Sequence, residues 1–571
     1  MKNKSIIFPI VFIIALFGVL FLLRPGSDTT IETVPDENEH SDIIAEDEEE
    51  DKWPSIVENL LEMIEKQENV DKEILLELGS NAYDFYDPLI IVDPYGVSPL
   101  TALVIFTSDE PLKISVHIAG KTELANVDFV FDEFNREHMI PIYGLYPGES
   151  NNVEINAMRA DGIYHNNTLI IKTDPLPAEL DKNIIITDLV QHDKYQEGLN
   201  FTFWQKSAFD VNGEYRWFLN QFNLLEATVY NNGNIILAEG AYLQGNLILY
   251  EINQLGKILR VYYSPYGAHH DITLMNNGNL LVTGSYGETI EDFIYEINIE
   301  NGEIENTLDL KEILQRTRLE GFPSQNGYPD ITTVDWFHQN SIVFDNGSII
   351  ISGRHQSSVV KLSWPEGKIE WILSDHIGWN PMFEKYLLSP IGYGFEWSYG
   401  QHAPVILPDF DNNPDTIDIL LFDNGNGRIT FDKELYRAIL NNEIVAPEQY
   451  SRMVHYRINE KTNTVQQIWE FGKELGERYY SNWRGDAHLL NNGNRLGTFD
   501  RYNLDVGSIN NNYIEVNAAG EIIWEAYATS DDEIGTYGGY RVSRLPLYTG
   551  KANDLGIGIP AKVLIPEDKL Q

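Results

Sequence analysis

Four segments of this sequence set a histidine in front of a short apolar run. GAHHDITLMNNGN (Gly267 to Asn279) and DWFHQNSIVFDNGS (Asp335 to Ser348) end that run in Asn-Gly, with His269 and His338 each nine residues before the turn glycine. SYGQHAPVILPDFDNNPDTIDILLFDNGNGR (Ser398 to Arg428) places His402 ahead of a buried strand and Asn424-Gly425, and GDAHLLNNGN (Gly485 to Asn494) does the same with His488. A lone histidine before a strand is ordinarily a capped loop residue. Four at one register of a repeated unit converge in space if the units stand around an axis. The ring so formed holds His269 or His270, His338, His402 and His488, with Arg354 and His355 of SGRHQSS following the next strand of the His338 unit.

Three chemistries use such a ring. A metal site needs neutral imidazoles with carboxylates; Asp271 and Asp486 are the candidates, but no His-x-x-x-His spacing supports them, and no metal is expected. Nucleophilic catalysis needs one imidazole with a free lone pair and cationic donors for an anionic group. Arg354 suits the second part, because a guanidinium grips an oxyanion with a fixed fork. The third use is binding alone, by a non-enzymatic extracellular propeller that holds an anion or a metal.

The elements that position these residues come from an internal repeat. Asn-Gly turns at Asn232-Gly233, Asn277-Gly278, Asn346-Gly347, Asn424-Gly425 and Asn492-Gly493 are each associated with a β run and a second turn. Asn-Gly between apolar runs is a hairpin signal, since both turn positions take positive φ. Two hairpins make a four-stranded sheet, and a spacing of about 45 residues suits a propeller blade. Five complete units plus the leading FDVNGEYRWFLN give six blades over residues 183–571, or seven if Asp500 to Thr549 conceals another. Residues 86–178 read as a small antiparallel β-sandwich. Residues 53–80 show helical spacing, with Ile56, Val57, Leu60, Leu61 and Ile64 on one face and a second short helix around Lys72 to Leu78. The fold class is therefore all-β, a six-bladed propeller preceded by a sandwich.

Composition removes whole classes of function. The chain has 571 residues, a formal charge of −47 and no cysteine. So acidic a chain does not suit nucleic acid. Without cysteine there is no disulfide, thiolate site or cysteine nucleophile. No G-x-x-x-x-G-K-[ST] loop or G-x-S-x-G elbow is present, and no cofactor is called for. Residues 25–52 are acidic and poor in large apolar residues, as expected of a solvated tether. Ahead of it, within residues 1–24, Lys2 and Lys4 precede an apolar run from Ile6 to Leu23, long enough to span a bilayer with the bulk of the chain outside. It reads as an uncleaved membrane anchor, the alternative being a removed signal that leaves a secreted or periplasmic protein. Either makes the remainder extracytoplasmic.

At these residues the sequence resembles the bacterial arylsulfate sulfotransferases. The likeness runs in order through DPYGVSPLTALVIF and IPIYGLYPGESNNVEI, then HHDITLMNNGN, DWFHQNSI, SGRHQSS, GQHAP, LFDNGNGR and YRVSRLPLY. It implies an extracytoplasmic six-bladed propeller with an N-terminal β-sandwich, commonly a homodimer, that moves a sulfuryl group from a phenolic sulfate donor to a phenol acceptor without a nucleotide. It implies that His402 is the transiently sulfated nucleophile, in a ping-pong reaction. Arg354, His338 and Asn340 hold the sulfate oxygens, and His269 or His270 hands a proton to the leaving phenolate. His355 and His488 are expected among the substrate-binding residues. The family pattern includes a disulfide, which this chain cannot form.

Overall fold

The computed structural model describes residues 53–570 apart from 81, 182, 203–204, 222–223, 232, 240–246, 319–333, 429–433, 435–436, 439–440, 442, 445–446, 504–507, 531–539 and 549–553. The expected anchor and tether, residues 1–52, lie outside the described residues. Among the described residues no helix is long and apolar enough to cross a membrane.

Trp53–Gly79 is one continuous helix, so the break expected near Lys72 is absent. Its buried residues are Trp53, Val57, Leu60, Ile64, Gln67, Asp71, Ile74 and Leu78, a stripe stepping by three and four. Leu61, expected on the same face, is 46% exposed. Hydropathy missed the middle of the stripe because two members are polar. Gln67 exchanges two hydrogen bonds with the backbone of Ile258, at 2.8 and 2.9 Å. Asp71 pairs with Lys257 and accepts from the Tyr95 hydroxyl at 2.7 Å. Buried polar groups are tolerated when partnered in this way.

The sandwich expected over 86–178 is built from one five-stranded sheet. Its long strand Thr101–Ile118 changes partners along its length. Ala102 to Ile105 pair with Leu89–Val92, whereas Leu112 to Ile118 pair with Ser150–Arg159. Val127–Tyr143 flanks both halves, and the register shifts between Thr107 and Ile114, around Pro111, which has no N–H for the ladder. The first half of the long strand is buried on both faces, and the second half alternates.

Six further sheets of four or five strands follow among the described residues, a propeller-like organisation. The leading strands Leu224–Asn231, Ile272–Leu274, Gln339–Asp345, His402–Ile406 and Asp486–Leu489 touch one another in that order. The sheet that comes first in the chain takes its leading strand from the far end, where Ser543–Leu545 pairs with Leu199–Thr202. Conversely, Asn183–Leu189 adds to the last sheet beside Ile522–Ser530. The stretch Asp500 to Thr549 thus contributes to these two sheets, and no seventh sheet of the repeat occurs among the described residues.

The Asn-Gly signals mark three different structures. Asn346-Gly347 is the expected two-residue turn, with φ of 46° and 94°. At Gly278 and Gly493 the glycine alone is left-handed, closing longer loops between paired strands. Asn424-Gly425 is not the hairpin turn of its unit. His402–Ile406 reaches its partner strand Thr416–Asp423 through residues 407–415, and Asn424 ends that second strand, back beside His402.

Candidate active site

The leading strands bring most of the expected residues together. Ring centroids lie 5.0 Å apart for His270 and His338 and 4.5 Å for His338 and His355. Tyr540, just ahead of the strand from the far end of the chain, lies 5.6 Å from His270 and 6.0 Å from His402. Of the adjacent pair it is His270 that faces this group. It shares a left-handed backbone with His338, at φ 57° and 54°. His269 turns its Nε2 to the Gly284 carbonyl at 3.0 Å. Counting back from the turn glycine favoured His269, but a two-residue turn and a longer loop do not conserve that count.

The surroundings of His402 fix its tautomer. Asn424 donates from Nδ2 to the carbonyls of Ser481 at 2.9 Å and Arg484 at 2.7 Å. Its Oδ1 is thereby the atom that faces His402 Nδ1, at 2.7 Å, and the Gly400 carbonyl lies 3.1 Å from the same nitrogen. Two acceptors at Nδ1 place the proton there and leave the Nε2 lone pair. His402 is 1% exposed. Burial, and then the positive charge of Arg354, hold its pKa well below the usual histidine range, so the ring is neutral.

His338 is in the opposite state. Its Nδ1 lies 2.7 Å from Asp335 Oδ2 and 2.7 Å from Glu291 Oε2. Burial works against its charge, but the Asp335 and Glu291 carboxylates override it and push the pKa up to about 10. Glu291 is 3% exposed and also lies 3.3 Å from His270 Nε2. His355 is neutral. Its Nδ1 meets the Asp335 carbonyl at 2.6 Å and its Nε2 faces Arg354 Nη1 at 2.9 Å, while burial brings its pKa to about 4.

The remaining expected residues fall in supporting places. Arg354 is buried and donates from Nη2 to the Asn482 carbonyl at 3.2 Å. Asn340 gives one amide N–H to the Gln401 carbonyl at 2.8 Å, which fixes the chain immediately before His402. His488 is paired with Asp486 at 2.6 Å, and no ring contact joins it to His270, His338 or His402 among the described residues. Asp271 accepts from Ser341 Oγ and Ile342 N, each at 3.0 Å, and pairs with Arg541 at 3.2 Å.

Two compact histidine–carboxylate groups form although no local spacing marked them: His269 with His270 and Glu291, and Asp335 with His338 and His355. Neither uses Asp271 or Asp486. The donors of the second group do not suit a cation. His338 Nδ1 keeps a proton between two carboxylates, and His355 Nε2 faces a guanidinium. Sequence reasoning also missed Glu291, Asn424 and Tyr540. Asn424 and Tyr540 sit in LFDNGNGR and YRVSRLPLY, the first read as a turn; nothing in the sequence marked Glu291.

A guanidinium, an imidazolium and a neutral imidazole gathered on strand ends are what a propeller-like protein needs to hold a tetrahedral anion and react with it. Family models agree: one described as Arylsulfotransferase (ASST) matches residues 187–541, and one described as Arylsulfotransferase Ig-like domain matches residues 89–174. The chain belongs to the arylsulfotransferase family and is a sulfuryl-transferring enzyme. It is 27% identical to Arylsulfate sulfotransferase AssT of Escherichia coli O6:H1, over 74% of this chain and 87% of that protein. It is 26% identical to Arylsulfate sulfotransferase AssT of Lelliottia amnigena, over 69% and 81% respectively. Among solved structures, a Synechocystis apocarotenoid oxygenase mutant aligns over 81% of this chain and 98% of its own, at 10% identity and a TM-score of 0.29, which carries no argument.

Proposed function

We propose that the protein transfers a sulfuryl group from a phenolic sulfate ester to a phenolic acceptor in two steps, through sulfated His402 and without a nucleotide. The observation that carries this is the Asn424 amide. With its two N–H bonds on Ser481 O and Arg484 O, its oxygen keeps the His402 proton on Nδ1 and the lone pair on Nε2.

Nε2 attacks sulfur in line. The N–S bond forms as the bond from sulfur to the aryl oxygen breaks, and its electron pair leaves with the phenolate. His402 keeps its Nδ1 proton and becomes a cationic sulfated ring, with the Asn424 oxygen beside that proton. Arg354, His338 and Asn340 hold the equatorial oxygens, and His270 protonates the departing phenolate. A phenol has a pKa near 10, low enough to leave without metal assistance. In the second step the acceptor oxygen attacks sulfur, its proton returns to the same histidine, and His402 is released neutral. We read the six sheets as blades around one axis, a reading supported by the order in which their leading strands touch.

The test is to supply an aryl sulfate without an acceptor. Phenol should appear in a burst equal to enzyme concentration, and the protein should gain one sulfuryl group, mapped to His402 at neutral or alkaline pH because the N–S bond is acid-labile. His402→Asn should lose both the burst and turnover. A label on another residue, or sustained transfer by His402→Asn, removes His402 from the role.

A further inference from the structure

His270, Glu291 and His338 share an unusual backbone, with φ of 57°, 57° and 54°. None is glycine, and left-handed non-glycine residues are uncommon and concentrate where side chains must be aimed. Here the three side chains meet. Glu291 belongs to the strand Thr289–Ile297, whose pairing with Leu280–Tyr286 slips between Gly284 and Tyr286. Opposite that slip Glu291 sits in a bulge, a device that turns a side chain out of the alternation of its strand. The bulge is pinned on both sides. Glu291 N donates to Ser285 Oγ at 3.0 Å and Ile290 N to the Val334 carbonyl at 3.1 Å. Asp292 accepts from Thr289 Oγ1 and Trp336 Nε1, each at 2.6 Å.

We propose that Glu291 is a positioning residue of the sulfuryl-transfer site, its carboxylate bridging His270 of one sheet to His338 of the next and holding the two imidazoles toward the sulfate. The inference rests on the transfer reading above. Asp335 does not duplicate this role. The single N–H at His338 Nδ1 makes its hydrogen bond to Asp335. Glu291, at 2.7 Å from the same nitrogen, acts as a buried countercharge and also reaches His270. Burial would raise the pKa of Glu291, yet His338 and then His270 hold it well below the usual carboxylate range. Among the described residues the groups around His338 are these two carboxylates, the His270 and His355 rings, Arg354 behind His355, and His402, which feels the His338 charge.

The experiment compares the full-length protein with Glu291→Gln and Glu291→Asp, following single-turnover phenol release from 4-nitrophenyl sulfate across pH, per site that can be labelled. Without the countercharge His338 loses its proton at lower pH. The alkaline limb of Glu291→Gln should therefore move toward neutrality, by about tenfold in rate at high pH for each unit of displaced pKa. Glu291→Asp keeps the charge and should keep the wild-type limb, even if its rate falls. A purely structural role would lower the rate equally at every pH. Overlapping limbs for Glu291→Gln and the wild type overturn the proposal. If Glu291→Gln does not fold, titration of the His338 ring by NMR in the wild type and Glu291→Asp decides the matter, and a midpoint near the ordinary histidine value in the wild type rejects the proposal. Failure of the transfer reading looks different: the wild type itself would then show no burst, or its label would lie away from His402.

Discussion

His338 and His402 both stand at the start of the leading strand of a sheet, both are largely screened from solvent, and one is cationic where the other is neutral. The difference lies in what meets Nδ1. At His338 it is two carboxylates, each 2.7 Å away; at His402 it is an amide oxygen, also at 2.7 Å. Desolvation lowers a fully buried histidine by as much as about 3–5 pKa units. One unit charge at about 4 Å contributes roughly 4 kcal/mol at an effective dielectric constant near 20, or about three units at 1.36 kcal/mol each. One carboxylate thus roughly offsets burial, and a second turns the balance toward the imidazolium. An amide brings no net charge, so at His402 burial and Arg354 win. On the transfer reading proposed above, a repeated scaffold supplies one cationic donor and one nucleophile through what it sets against each Nδ1.

Asn424→Asp removes that distinction and should have the largest effect. It sets a carboxylate where His338 has one, so the His402 pKa rises and Nε2 takes up a proton. It also faces the Ser481 and Arg484 carbonyls with an acceptor in place of their donor. Turnover at neutral pH should fall by more than about a hundredfold, because protonation, at about tenfold for each unit by which the pKa passes the working pH, is joined by misplacement of Nε2 once the anchoring at Ser481 and Arg484 is lost, which alone can cost about a hundredfold. The sign is definite. The active form is the neutral ring, so residual activity should climb as pH rises through the new pKa, while the wild type shows no such limb near neutrality. A variant as active as the wild type, with the same pH profile, would mean that the amide does not set the state of His402.

The histidines were legible in the sequence because the repeat puts them at one register, and four-stranded units were legible from turn spacing. What decides their chemistry was not. Asn424 resembles every other Asn-Gly of the repeat, and only the long loop Leu407 to Asp415 moves it out of turn position and into the site. Glu291 opens EDFIYEI, a strand segment buried throughout, and is redirected by a bulge that hydropathy does not encode. Tyr540 lies just ahead of a strand that joins the first sheet from the far end of the chain, so a count along the sequence could not place it. His488 kept the register and still does not join the group, its ring being held by Asp486.

Arg354→Leu acts on His402 and on His355, the ring beside His338, and should have an intermediate effect. The guanidinium lowers the pKa of His402 and faces His355 Nε2. Its loss removes one donor to the transferring group, worth roughly 2–4 kcal/mol on the scale of an oxyanion-hole deletion. The sulfuryl label should still form on His402, more slowly. A loss confined to KM, with the labelling rate unchanged at saturating donor, would make Arg354 a ground-state binding residue only.

The smallest effect is expected from chelation, and it is the sharpest test of the cationic half of the comparison. For Asp335, His338 and His355 to take a divalent cation, His338 would have to give up a proton held to about pH 10. His355 would have to use Nδ1, now on the Asp335 carbonyl, or Nε2, now against the Arg354 guanidinium. Metal ligation requires deprotonated donors and releases their protons, so each substitution of a cation for the existing bonds is opposed near neutral pH, and Arg354 adds charge repulsion. Turnover should therefore survive exhaustive dialysis against chelator within about twofold. Elemental analysis of the active enzyme should give well under one transition metal per chain. A stoichiometric metal whose removal stops transfer would make His338 a neutral ligand. His338 and His402 would then both be neutral imidazoles, and the division of labour between them would have to rest on the cation in place of the two carboxylates.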